Sequence, residues 1–120
     1  MSTENVPARI EVTLASLVEL AIECWRLERW LAAQGQEAAT AQARHVARRL
    51  GKFLDERELH VLDLTGQQYA PGLAVEVLDA LESADVPEGL ELIDETIAPV
   101  VMWRGVVVKH GQVVISRRAG

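Results

Sequence analysis

The feature that most constrains this chain is a change of hydrophobic period near residue 58. From Ile10 to Glu56 apolar residues recur every three or four positions, the spacing that gathers them on one side of an α-helix. From Leu59 onward they alternate or run together and β-branched residues become frequent, which is the habit of strands. The order predicts an α+β protein, with a helical dimerisation region over residues 1–58 and a small all-β domain over residues 59–120. A chain of 120 residues suffices for one compact domain or a helical arm plus a β unit, and excludes two enzyme domains.

The first helix is expected from Ile10 to Ala33, with Ile10, Leu14, Leu17, Ala21, Cys24 and Leu31 on one stripe that Glu28 interrupts. Val18, Ile22 and Trp25 add a second apolar face, wider than a two-stranded coil needs. Pro7 suits the first turn and Gly35 the stop. A second helix is expected from Glu37 to Glu56, with Ala39, Ala43, Val46, Leu50 and Phe53 inward and Gly51 weakening it. Its alanine-rich first half has good helix propensity but little apolar area, so it needs a close partner. Two such helices are too thin to enclose a core. They are expected to pair as a hairpin and self-associate into a homodimeric four-helix bundle cored by Leu14, Leu17, Ala21, Leu31, Leu50 and Phe53.

In the second half, Leu59 to Leu64 reads as a short strand and Tyr69-Ala70-Pro71-Gly72 as a turn. Leu73, Val75 and Val77 suit a half-buried strand or a helical turn, and Ser83 to Gly89 an acidic loop before a segment from Leu90 to Ile97. Pro99 restricts the next segment to an edge strand or a strand start. Val100–Trp103, Val106–Lys109 and Gln112–Ser116 then predict a closing β-meander with turns at Arg104-Gly105 and His110-Gly111.

Charge and chemistry narrow the function classes. Eighteen acids against twelve bases give a net charge of −6, so the surface as a whole repels phosphate backbones and neither nucleic acid nor membrane is expected as a partner. The basic run Arg44, Arg48, Arg49 and Lys52 reads as the solvated face of a helix. A single cysteine, Cys24, forms no internal disulfide and fits a reducing, cytoplasmic setting. Met1 to Arg9 has no leader pattern, and no apolar run approaches the ~20 residues of a membrane span.

His45, His60 and His110 lack metal-ligand spacing, no serine sits on a glycine-framed elbow, and no glycine pattern cradles phosphate. No metal, cofactor or enzymatic activity is therefore expected. Trp25 and Trp30 suit helix packing, while Trp103 suits either the core or a partner contact.

Gly66-Gln67-Gln68-Tyr69-Ala70-Pro71 resembles the Gly-x-x-Phe-Asp-Pro segment that opens the β-domain of GrpE-type nucleotide exchange factors, with Ala70 in place of the aspartate. Pro87 and Gly89 are similar to a proline-glycine step in that domain, and Gly105 to Ile115 to its terminal valine-rich strand, with Lys109 at a position where arginine is usual. The resemblance implies paired helices, a four-helix bundle and a β-domain that opens the nucleotide-binding lobe of a DnaK-type chaperone, an actin-like ATPase, to release ADP. It places Lys109, with Trp103 and Arg104 nearby, at the partner face. The paired arm is much shorter than in full-length family members. A non-enzymatic adaptor or regulatory subunit that binds another protein through the same β-domain is the alternative.

Overall fold

Thr13 starts the first helix: its hydroxyl accepts the backbone N–H of Ser16 at 3.1 Å, and α1 runs Leu14–Ala32. The computed structural model describes residues 8–35 and 37–119, and Pro7, expected in the first turn, lies outside them. The helix begins later than the apolar spacing placed it. Ile10, the first residue of the stripe, and its neighbour Val12 precede the cap and are exposed.

Past Ala32 the last carbonyls of α1 have no intrahelical donors. Arg44, on α2 (Ala38–Glu56), donates through Nη2 to the carbonyl of Leu31 in the last turn at 3.1 Å and to those of Gln34 at 3.3 Å and Gly35 at 2.9 Å just beyond it. Arg44 is therefore a half-buried tie between the helices and not part of the solvated face, which keeps Arg48, Arg49 and Lys52. The inward side of α2 also differs from the expected stripe. Ala47 and Leu54 are buried, whereas Val46 is 43% and Phe53 38% exposed. The helix packs on α1 and on the first strand together, and that pair of neighbours selects a face about one residue round from the one periodicity indicated.

The strands are β1 (Leu59–Leu62), β2 (Val75–Glu82), β3 (Glu91–Ala98), β4 (Val100–Trp103), β5 (Val106–Lys109) and β6 (Gly111–Arg117). They form two three-stranded sheets: an antiparallel one in the order β1-β4-β5, and a mixed one in the order β2-β6-β3 with β6 parallel to β2. The end of the chain is thus not the expected meander. β4 and β5 form a hairpin, but β6 leaves it and inserts between β2 and β3. Gly111 makes this crossing possible, since a Cβ there would lie 2.9 Å from the carbonyl oxygen of Ala98 and 3.0 Å from the nitrogen of Val100. Pro99, buried at the same crossing, immediately precedes β4, the strand-start position open to it.

Two cores result. The first joins Val18, Ala21, Ile22 and Cys24 of α1 to Leu54 of α2, Leu59 of β1 and Val101 of β4. The first sheet therefore covers the apolar face of α1 within a single copy, a cover that helical periodicity alone did not reveal. The second core centres on Ile93, Val113 and Ile115, closed by Tyr69, Leu73 and Val77. Thr96, almost fully buried, shares a hydroxyl hydrogen bond with Thr65 at 2.8 Å. No helix among the described residues is long and apolar enough to cross a membrane.

Candidate functional site

The β4–β5 turn is made by Arg104 and Gly105, with φ of 52° and 77°, the two left-handed residues of a type I′ hairpin. Glycine adopts that region freely; arginine does so at a steric cost. The structure holds Arg104 there on three sides. Its guanidinium lies 4.5 Å over the Trp103 ring, its Nε donates to Glu58 Oε2 at 2.9 Å, and its backbone N–H donates to the Glu58 carbonyl at 3.1 Å. Glu58 is itself left-handed, with φ of 62°, in the position that closes α2, where its N–H donates to the Asp55 carbonyl at 2.9 Å. The end of α2 and the tip of the hairpin are thereby clasped together.

Register assigns the two faces of this sheet. Val101 and Trp103 of β4 stand opposite Val61 and Leu59 of β1, and all four belong to or pack on the first core. The other face carries His60, Met102 and Val107, which align across the three strands, with Leu62 beside them. Leu62 and Val107 are both exposed, and Val106 at the tip is 63% exposed. Lys109 is exposed at the far end of β5, opposite Val101 across a bulge.

Trp103, Arg104 and Lys109 therefore lie on one hairpin but not on one surface. Trp103 is half-buried against the core and serves as the platform for Arg104. Val106 and Val107 were the residues missed; three consecutive valines on one strand cannot all face inward, which could have marked Val107, whereas Val106 is in register with Trp103 and exposed at the tip. Of the six residues expected at a dimer core, Ala21 and Leu31 are buried within one copy, and Leu14, Leu17 and Leu50 are half-buried against the first core. Phe53 is exposed, with the Arg57 guanidinium 3.6 Å over its ring.

A second clamp fixes α1 to the mixed sheet. Arg29 donates from Nη1 to the Thr96 carbonyl at 2.6 Å, pairs with Glu95 at 3.6 Å and stands 5.2 Å over the Trp25 ring. Beside it, burial pushes the Asp63 carboxyl up, but donors from the Thr65 backbone, the Thr65 and Thr96 hydroxyls and the Trp25 indole outweigh burial and hold it below its ordinary 3.8. The Thr65 N–H approaches Asp63 Oδ1 at 3.0 Å.

The inventory of reactive groups is short. Among the described residues no three of His, Cys, Asp and Glu converge on a position for a metal ion. Burial, then the charge and hydrogen bond of Glu28, push the Cys24 thiol up to about 11, so it is a neutral thiol near pH 7 and a poor nucleophile. The hairpin carries two exposed valines, Val106 and Val107, that follow the clasped turn and precede Lys109. No protein-family model matches the chain, and no curated protein matches it significantly.

Proposed function

We propose that the chain is a GrpE-like cochaperone, a cytoplasmic homodimer that binds the ATPase lobe of a DnaK-type chaperone through the β4–β5 hairpin and promotes ADP release. The observation that carries the binding surface is the exposure of Val106 and Val107 between Arg104 and Lys109. An exposed apolar tip, with Lys109 at the far end of the same strand and Arg104 held by Glu58, suits a partner with an apolar seat. Exchange needs no bond chemistry. The factor binds the open lobe more tightly than the closed one, and ADP loses affinity by that difference.

The Gly66–Pro71 segment has a structural part in this reading. Gly66 and Tyr69 donate N–H bonds to the carbonyls of Ile93 and Glu91, and Ile93 donates to Gln67, so the segment lies along the free edge of β3 with Tyr69 against the second core. For the homodimer, the available apolar surface is on the outer side of α2. On α2, Val46 and Phe53 lie seven residues apart and are exposed, beside Arg49 and Lys52. That exposed strip of α2 is the face on which a second copy would pack.

The test is release of a fluorescent ADP from a DnaK-type chaperone encoded beside this protein. Acceleration is expected, with loss of the effect in Val106→Asp and Lys109→Glu at unchanged melting temperature; no acceleration at saturation overturns exchange. The adaptor reading draws on a different observation: helices and first sheet share one core, which makes them a single body and not an arm with a separate wedge. Affinity capture from the native cell separates the two. Recovery of a partner other than an actin-like ATPase, lost in Val106→Asp, favours the adaptor.

A further inference from the structure

Gly51 sits inside α2, where glycine is the poorest helix former short of proline. No close backbone approach demands it: the nearest atom to a Cβ there is the flexible carboxylate end of Glu28, at 3.3 Å. Gly51 helps line a cleft of about 250 Å³ between α1, α2 and β1. Its interior is apolar, formed by Ala21, Trp25, Leu54, Leu59 and Val61, and its rim carries Glu28, Asp55 and His60. Asp55 meets His60 Nε2 at 2.7 Å, and Glu28 accepts only the Cys24 thiol, at 3.4 Å, with no ion pair among the described residues. Arg44 and Arg48 line the hollow beyond Glu28, but Arg44 is engaged by the carbonyls that end α1. An apolar slot with carboxylates at its mouth matches a cation carried on an aliphatic stem.

We propose that this cleft receives one lysine or arginine side chain of the protein partner, its stem against Leu54 and Val61 and its cationic head between Glu28 and Asp55. The inference rests on the protein-binding reading and gives that partner a second anchor besides the hairpin. His60 links the two, since it borders the cleft and also stands in register with Met102 and Val107 on the exposed sheet face. The Cys24 thiol, held neutral, adds no competing charge to the interior.

The test is an amide-NMR titration of the whole chain with the N-acetyl, N-methylamide derivatives of lysine, arginine and norleucine. Saturable shifts at Gly51, Leu54 and Val61 are expected with a cationic probe and not with norleucine. Glu28→Gln weakens them roughly three- to five-fold, the loss appropriate to a partly exposed ion pair. Gly51→Leu, which fills the cleft, abolishes them. No saturable shift, equal shifts with norleucine, or an unchanged affinity in a folded Glu28→Gln variant each overturn the proposal. The probes need no partner, so a negative titration leaves the hairpin reading standing, and a failed ADP-release or capture experiment leaves the titration result intact.

Discussion

Replacing Val101 by alanine tests whether the helices and the first sheet depend on one another. Val101 has 0% exposure, lies in β4, and belongs to the core that also holds Val18, Ala21 and Ile22 of α1. The substitution removes two methyl groups, at about 0.8 kcal/mol each, and leaves a small cavity, for a loss of roughly 2 kcal/mol. For a chain of this size that corresponds to a fall of roughly 8 °C in melting temperature. The assay is thermal unfolding followed by far-UV dichroism for the helices and by hydrogen exchange at the β4 and β5 amides for the sheet. Both signals are expected to shift together and by the same free energy. A helix transition that ignores the substitution, and whose midpoint depends on protein concentration, refutes the shared core and returns the helices to an independent bundle.

Arg29→Ala removes the donor to the Thr96 carbonyl and uncovers Trp25; because the side chain is about half exposed, the expected loss is about 1–2 kcal/mol, with faster amide exchange along β3 as the readout. Asp63 has a folded pKa below its unfolded value, so its contribution is present above the ordinary carboxylate range and is lost as pH falls from about 3.8 through the folded value. Asp63→Asn should flatten the acid limb of a stability–pH curve in that window, and an unchanged limb contradicts the assigned donors. Cys24 has the opposite sense: its thiol is raised from 9.0 to about 11, so its contribution is complete below pH 9 and declines as pH rises toward 11. Native protein should resist a thiol-modifying disulfide reagent at pH 8 and react only as it unfolds; rapid native modification contradicts the burial.

The sequence carried the class and most element positions because the hydrophobic period changes sharply at Glu58–Leu59, and because Gly35, Gly105 and Gly111 punctuate it. Partnership between elements was less legible. Periodicity says that Val18, Ile22 and Trp25 face something apolar but not that Leu59 and Val101 are what they face. It also placed α2 one step out of rotation, since Val46 and Phe53 fit the same spacing as Ala47 and Leu54. The short His110-Gly111 link looks like another hairpin turn in sequence; the pairing of β6 with β2 and β3 shows that the strand changes sheets. At the candidate site, Arg104 and Lys109 were visible as charges beside a turn, while the Glu58 clasp depends on a pairing across 46 residues that no local pattern announces.

The placement of β6 has a consequence for biogenesis. β2 and β3 do not pair with each other, and the strand that joins them, β6, ends at Arg117. On the ribosome, α1, α2 and the β1–β4–β5 sheet have all their pieces before the mixed sheet has its middle. Until β6 is made, β2 and the β6-facing edge of β3 wait with open backbone groups, an interval in which a nascent chain is vulnerable to wrong pairings.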